Sequence, residues 1–197
     1  IQNTMDCIKT SRSKMTQHQL PVDIVETLKL GIEESRKDLM KTPTIFVYGK
    51  QCIQHRNVGF FSDESIGYTY SGQRANSIPL TPHLKQLLDY VNTTFQTNFN
   101  GILCNEYMNG HDYIGAHSDD EQNLDKMNGV MMMSYGASRK FRIRDKISRK
   151  IVKDIYTKDN ELIQMSGDFQ KEFVHEIPIE RKIKESRISL TFRKHDI

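Results

Sequence analysis

The sequence predicts an α+β fold: a double-sheet jelly roll with helices packed on one side. Three observations lead there. From residue 101 onward, short strand-like runs recur at 101–108, 112–119, 129–135, 139–145, 150–156, 160–166, 171–177 and 186–194. Turn-forming clusters lie among them: Asn109-Gly110, Asn128-Gly129, Lys158-Asp159-Asn160 and Ser166-Gly167. Ahead of them lie two segments whose apolar residues recur at helical spacing.

The first helix is expected over 21–40. Val22, Val25, Leu28, Ile32 and Leu39 share its apolar face, Pro21 sits near its start, and Gly31 weakens its middle. The second is expected over 82–96. Thr81 suits the N-cap and Pro82 the first turn, while Leu84, Leu87, Leu88, Val91 and Phe95 make one apolar stripe. Residues 44–48 and 67–71 are further short strand candidates, joined by a polar loop. Residues 1–20 are polar and carry no period, so they read as a tail ahead of one domain spanning 21–197. No internal repeat or linker interrupts that span.

A chain of 197 residues suits one domain with a sizeable core. It is 37% hydrophobic and 27% charged, ordinary for a soluble globular protein. No apolar run approaches the roughly 18–20 residues of a membrane helix, so no membrane partner is expected. The opening residues IQNTMDCIKTSRSK hold no signal-peptide core and no initiator Met, as expected of a trimmed chain or a fragment. Cys7, Cys52 and Cys104 are odd in number and widely spaced. They read as free thiols of a reducing, intracellular compartment, nuclear or cytoplasmic. A net charge of +3 permits nucleic-acid binding without arguing for it.

The first candidate site is His117-Ser118-Asp119. On a strand, residues i and i+2 face the same way, so this histidine and carboxylate can aim at one point inside a barrel. His175, in Phe173-Val174-His175, offers a third ligand. Two histidines and one carboxylate leave three open positions on an octahedral iron, enough for a bidentate cosubstrate and O₂. His-x-Asp alone turns up by chance in many chains. A hydrogen-bonded turn histidine is the plainer reading of His175, with Pro178 close by.

The second is Arg187-Ile188-Ser189-Leu190-Thr191-Phe192-Arg193, which alternates strictly. If Ile188, Leu190 and Phe192 pack under the helices, Arg187 and Arg193 point into the barrel. A buried unpaired guanidinium costs several kcal/mol, so both would need anionic partners. A small dicarboxylate could serve one arginine at each end. An edge strand with both arginines solvated is the alternative. Asn105 and Tyr107 share a strand face and could complete the hydrogen bonds around a carboxylate.

Taken in order, Asn105-Glu106-Tyr107, His117-Ser118-Asp119, Ser134-Tyr135-Gly136, Arg139-Lys140-Phe141, His175 and Arg187 through Arg193 resemble the AlkB-like dioxygenase family over roughly residues 40–194. The likeness is greatest to its animal DNA-repair members. It implies a double-stranded β-helix core over 101–194 and a nucleotide-recognition lid over 40–76. It implies an Fe(II)- and 2-oxoglutarate-dependent dioxygenase that repairs N-alkylated bases of the 1-methyladenine and 3-methylcytosine type in DNA. Succinate, CO₂ and formaldehyde would be released. By the same resemblance His117, Asp119 and His175 bind Fe(II), and Arg187 holds the distal carboxylate of 2-oxoglutarate with Tyr107. Arg193 and Asn105 lie near its metal end. Asp120 reads the damaged base, Tyr68 and Tyr70 line the base pocket, and the base stacks between Tyr70 and His117. Asn160, Phe173 and Tyr70 depart from residues common in relatives, which are Gly, Trp and Phe respectively. A 2-oxoglutarate oxygenase acting on RNA or a protein side chain, and a non-catalytic nucleic-acid binder, are the rival readings.

A base inside a duplex must be flipped out before it can react, and a wedge can fill the gap it leaves. Tyr48, in Val47-Tyr48-Gly49-Lys50, resembles that wedge; an ordinary strand-end tyrosine is the alternative. Phosphate contacts are expected from the basic run Arg139, Lys140, Arg142, Arg144, Lys146, Arg149, Lys150 and Lys153, unless these are merely solvated. Further contacts are expected from Arg181, Lys182 and Lys184, and from Arg56 after the first polar loop. The expected partner is therefore alkylated nucleic acid, bound by a monomer.

Overall fold

The structure, a computed structural model, describes residues 4–65, 67–71, 73–120 and 129–195. Two sheets share its inner core. The larger runs in the order β1 (Thr4–Lys9), β2 (Ser13–Gln19), β13 (Glu161–Gly167), β10 (Val130–Gly136), β15 (Arg187–Arg193), β8 (Gly101–Tyr107), β5 (Asn57–Phe61), β7 (Gln73–Ile78) and β6 (Gly67–Tyr70). The smaller runs β12 (Ile151–Tyr156), β11 (Lys140–Asp145), β14 (Phe173–Ile177) and β9 (Ile114–His117). A separate hairpin joins β3 (Thr44–Val47) to β4 (Lys50–Ile53). The jelly roll predicted from residue 101 onward forms, with every strand end within two residues of expectation. The strand expected from 171 begins at Phe173 because Phe169–Glu172 close one helical turn, α3, ahead of β14.

Alternation on β15 sorts its side chains as predicted. Ile188, Leu190 and Phe192 pack outward against Leu28 and Ile32 of α1 (Val22–Ser35) and Leu84, Leu87 and Val91 of α2 (Pro82–Phe95). Each such burial is worth about 1.5–3 kcal/mol, so this layer fixes which face of β15 looks inward. Gly31 lets the two helices approach, since a Cβ there would stand 3.2 Å from Leu84 Cδ2. α1 stops at Ser35, short of the predicted residue 40. There the Ser35 hydroxyl donates back to Gly31 O at 2.8 Å, and the chain tightens into a 3-10 turn over Arg36–Asp38. The other face of the large sheet, with Tyr107, Val130, Met132 and Met165, meets Phe141, Ile143, Phe173 and Ile177 of the small one.

The tail expected at residues 1–20 is instead a hairpin over its described residues. β1 pairs with β2, and β2 pairs with β13 from Ser13–Gly167 to Gln19–Glu161. Its apolar residues are too few to show a period: Met15 is fully buried, with Cys7 and Ile8 beside it. Ladder hydrogen bonds to β13 hold the rest. The polar loop expected between 48 and 67 likewise contains β4 and the wholly buried β5. Among the described residues no helix is long and apolar enough to cross a membrane.

Candidate active site

His117 ends β9 and His175 sits within β14, and the two are register partners across the ladder. Cross-strand partners share a face, and their rings stand 4.4 Å apart. Asp119 corrects the strand argument made for it, because β9 ends at His117 and Asp119 lies in the loop beyond. Other contacts bring it in. Its N–H donates to Gln170 Oε1 at 2.9 Å, while its carboxylate meets Arg193 Nη2 at 2.7 Å and His175 Nε2 at 3.3 Å. The result is three ligand atoms within 4.8 Å of one another.

The surroundings tune this set for a metal. His117 Nδ1 bonds Gly115 O at 2.8 Å, which fixes the tautomer and leaves Nε2 as the ligating atom. Phe141 stacks on the His175 ring at 5.1 Å and 17°, which orients it. Burial, with the neighbouring His175 adding to it, pushes the His117 imidazole down to about 4. Burial works to raise the Asp119 carboxyl, but Arg193, then His175 and His117, hold it well below the usual carboxylate range. A neutral imidazole and an ionised carboxylate are the forms that bind a metal ion. Two histidines and one carboxylate, with room for further ligands, suit non-haem Fe(II).

The inward face of β15 adds the two arginines, and they part ways. Arg193 is held by Asp119 at the metal end. Arg187 is 1% exposed and donates Nη2 to Ser134 Oγ at 2.8 Å. Its Nε and Nη1 meet no acceptor among the described residues. Its guanidinium lies 5.5 Å over the Tyr107 ring, and burial pulls its pKa down to about 10. Buried donors left over on a cation call for an anion, and a carboxylate fits their fork. Asn105 and Tyr107 line the same cavity as His117, Asp119, His175, Arg187 and Arg193.

A family match spans nearly the whole of this arrangement: residues 13–193 match the 2OG-Fe(II) oxygenase superfamily. The chain belongs to that superfamily. Its metal is Fe(II) and its cosubstrate 2-oxoglutarate; His117, Asp119 and His175 fit the first, and the leftover donors of Arg187 fit the second. The chain is 32% identical to the human DNA oxidative demethylase ALKBH2 over 155 residues, covering 75% of this chain and 59% of that protein. It is 28% identical to the Arabidopsis thaliana protein of the same name, covering 77% and 56%. It is 34% identical to human alpha-ketoglutarate-dependent dioxygenase alkB homolog 3, covering 65% and 48%. This oxygenase chain thus spans roughly half to three fifths of those relatives. A solved structure titled "The structure of OsALKBH1" superposes with a TM-score of 0.54 at 16% identity, covering 95% of this chain and 99% of that one, and supports the fold.

The residues expected to meet nucleic acid divide. Tyr70 stands edge-on to His117, ring centroids 6.3 Å apart at 90°, so the two rings do not form the parallel pair expected to sandwich a base. Tyr68 is buried, stacked on Phe60 and His195, with Arg193 5.2 Å over its ring. Arg56 cannot reach a DNA backbone: it is 5% exposed, donates to Asn105 Oδ1 at 3.0 Å and lies over Tyr70. Asp120 is exposed and faces Lys146 at 3.6 Å, lining a cleft apart from Tyr70. Tyr48 is fully exposed at the tip of the β3–β4 hairpin.

Four of the eight cations of the basic run, Arg139, Arg142, Arg144 and Lys146, are paired with carboxylates, which corrects the expectation of an open hairpin of charge. Arg142 forks onto Asp154, Arg144 pairs with Glu176, and Lys153 caps Cys7 O. Arg139 is buried against Glu180. These partners come from neighbouring strands and loops, so counting charge along one segment could not reveal them. Arg149 and Lys150 remain exposed at the turn, and Arg181, Lys182 and Lys184 on the loop before β15. Sequence reasoning also missed Gln170 as the anchor of Asp119 and Gly115 O as the partner of His117. A backbone carbonyl and a lone amide carry no sequence signal.

Proposed function

We propose that the chain removes alkyl groups from the pairing edge of DNA bases, with 1-methyladenine and 3-methylcytosine as substrates. Fe(II), O₂ and 2-oxoglutarate would be consumed, and succinate, CO₂ and formaldehyde released. The observation that carries this reading is an aromatic at the edge of the metal set, Tyr70, whose ring stands 6.3 Å from His117; a flat heterocycle would enter there by displacing that edge-on contact. The names of the DNA-repair relatives support it.

Bound iron with its cosubstrate supplies the oxidation of the N-alkyl carbon, and the protein supplies placement. His117, Asp119 and His175 hold the metal, Arg187 and Tyr107 the far carboxylate, and Asn105 and Arg193 the metal end. Alkylation leaves these bases cationic, so a carboxylate near them favours damaged over intact base. Asp120 would take that part by leaving Lys146 and turning out of the cleft it lines toward Tyr70. The test is release of succinate and formaldehyde with oligonucleotides carrying 1-methyladenine, in DNA and in RNA, against unmethylated controls. Release on the DNA lesion alone supports the reading. Release on RNA alone moves the substrate class, and no release on either removes it.

The hairpin tip supports action on duplexes. Tyr48 and Gly49 both have positive φ, 49° and 75°, the geometry of a two-residue hairpin turn. That turn holds the tyrosine out at the tip, with Phe46, Val47 and Ile53 half-exposed behind it. A wedge matters only where there is a stack to break. Tyr48→Ala is expected to lower activity on a duplex lesion about 10- to 100-fold more than on the same lesion in a single strand, the equivalent of a few kcal/mol of unstacking. Equal losses on both would make Tyr48 pocket lining.

A further inference from the structure

Arg139 immediately precedes β11, is 1% exposed, and has no part in the roles above. Its fork is in use on every side. Nε pairs with Glu180 Oε2 at 3.2 Å, Nη1 donates to Asn109 O at 3.1 Å, and Nη2 donates to Asp112 O at 2.8 Å and Pro178 O at 2.9 Å. These acceptors lie on two loops far apart in sequence. The loops are also locked to each other, Gly110 N–H to Ile183 O at 2.9 Å and Glu180 N–H to Gly110 O at 2.8 Å. They run so close that a Cβ on residue 110 would stand 1.8 Å from Glu180 O.

The same guanidinium lies 5.6 Å over the Tyr107 ring, the ring that also carries Arg187 at 5.5 Å. Two buried cations therefore share one aromatic. Glu180, whose Oε2 is also held by the Lys140 N–H at 2.9 Å, balances Arg139. Among the described residues Arg187 has no such carboxylate, and it keeps its spare donors. Arg139 is thus spent on structure in a way that leaves its neighbour free for an anion.

We infer that Arg139 is a positioning residue for 2-oxoglutarate: anchored on the two locked loops, it fixes the Tyr107 ring and through it the Arg187 guanidinium. This rests on Arg187 holding the cosubstrate. A lysine would keep the charge but could not reach acceptors on both loops, since it presents a point charge in place of a planar fork.

The experiment is calorimetric titration of 2-oxoglutarate into Mn(II)-loaded protein, which reads binding without turnover. Arg139→Lys is expected to weaken 2-oxoglutarate binding about tenfold or more, the scale of one charge-assisted contact, with Mn(II) affinity unchanged. Gly110→Ala, which leaves Arg139 intact but forces the loops apart, should weaken it in the same direction. Arg142→Lys, within β11 and paired to Asp154, serves as control and should leave it unchanged. Wild-type affinity in Arg139→Lys, or a loss no greater than in the control, overturns the inference. If Arg139→Lys does not fold, Gly110→Ala decides, and wild-type affinity there overturns it too. Wild-type protein that binds 2-oxoglutarate but releases no succinate with methylated DNA removes the demethylase reading and leaves this inference standing. Wild-type protein that does not bind 2-oxoglutarate removes the inference with its premise.

Discussion

Asp119→Ala is expected to abolish turnover and to destabilise the fold as well. The carboxylate is one of three groups placed to hold the metal, and it is also the partner of buried Arg193 at 2.7 Å. Removing one member of a buried ion pair costs about 3–5 kcal/mol, because the other charge stays in low dielectric. A domain of this size has only about 5–15 kcal/mol to lose. A dead Asp119→Ala protein would therefore confound lost chemistry with lost structure. Asp119→Asn separates them: the amide oxygen can still accept from Arg193, but the charge that binds the metal is gone. Asn is expected to melt closer to wild type than Ala, to bind Fe(II) far more weakly, and to show no detectable succinate release. The measurement is a thermal melt with and without metal, beside the release assay. Wild-type turnover in Asp119→Asn would sink the assignment of the metal centre.

What could be read from the chain follows from where its contacts are local. β15 was legible because alternation fixes the face of every residue once one side is known to be apolar, and Leu190 and Phe192 made that side plain. His117 and His175 were legible as ligand types in strands, although their register partnership needed the fold. Asp119 does stand beside His117 and His175, but not for the strand reason: its place is set by Arg193 and Gln170, 74 and 51 residues away. The β1–β2 hairpin was misread because its stability lies in ladder hydrogen bonds to β13, which any side chain can make. Arg56 and Arg139 looked like phosphate contacts because charge in a sequence shows sign and not burial. Their partners, Asn105 and Glu180, are 49 and 41 residues distant.

Arg187→Met is expected to raise the apparent requirement for 2-oxoglutarate by roughly 10- to 150-fold, the equivalent of ~1.5–3 kcal/mol for one charge-assisted contact. Oligonucleotide affinity should barely move, since the side chain is 1% exposed inside the barrel. Stability should move the other way. With no cosubstrate bound, the guanidinium keeps one strong hydrogen bond, to Ser134, and leaves Nε and Nη1 without acceptors among the described residues. Burial lowers its pKa to about 10, so folding disfavours the charged form. For a basic group lowered in this way, the cost is fully present below about pH 10 and is relieved as pH rises through that value toward the unfolded one. Replacing whole buried ion pairs by apolar side chains is neutral or stabilising by about 1–4 kcal/mol, and Arg187→Met strands no carboxylate among the described residues. The variant should therefore melt at or above the wild-type temperature without 2-oxoglutarate and lose the stabilisation that 2-oxoglutarate gives the wild type. Thermal melts of both proteins, with Mn(II) and with or without 2-oxoglutarate, read both signs at once. A variant that melts well below wild type and still gains stability from 2-oxoglutarate would mean that Arg187 holds the barrel together and that the cosubstrate carboxylate is bound elsewhere.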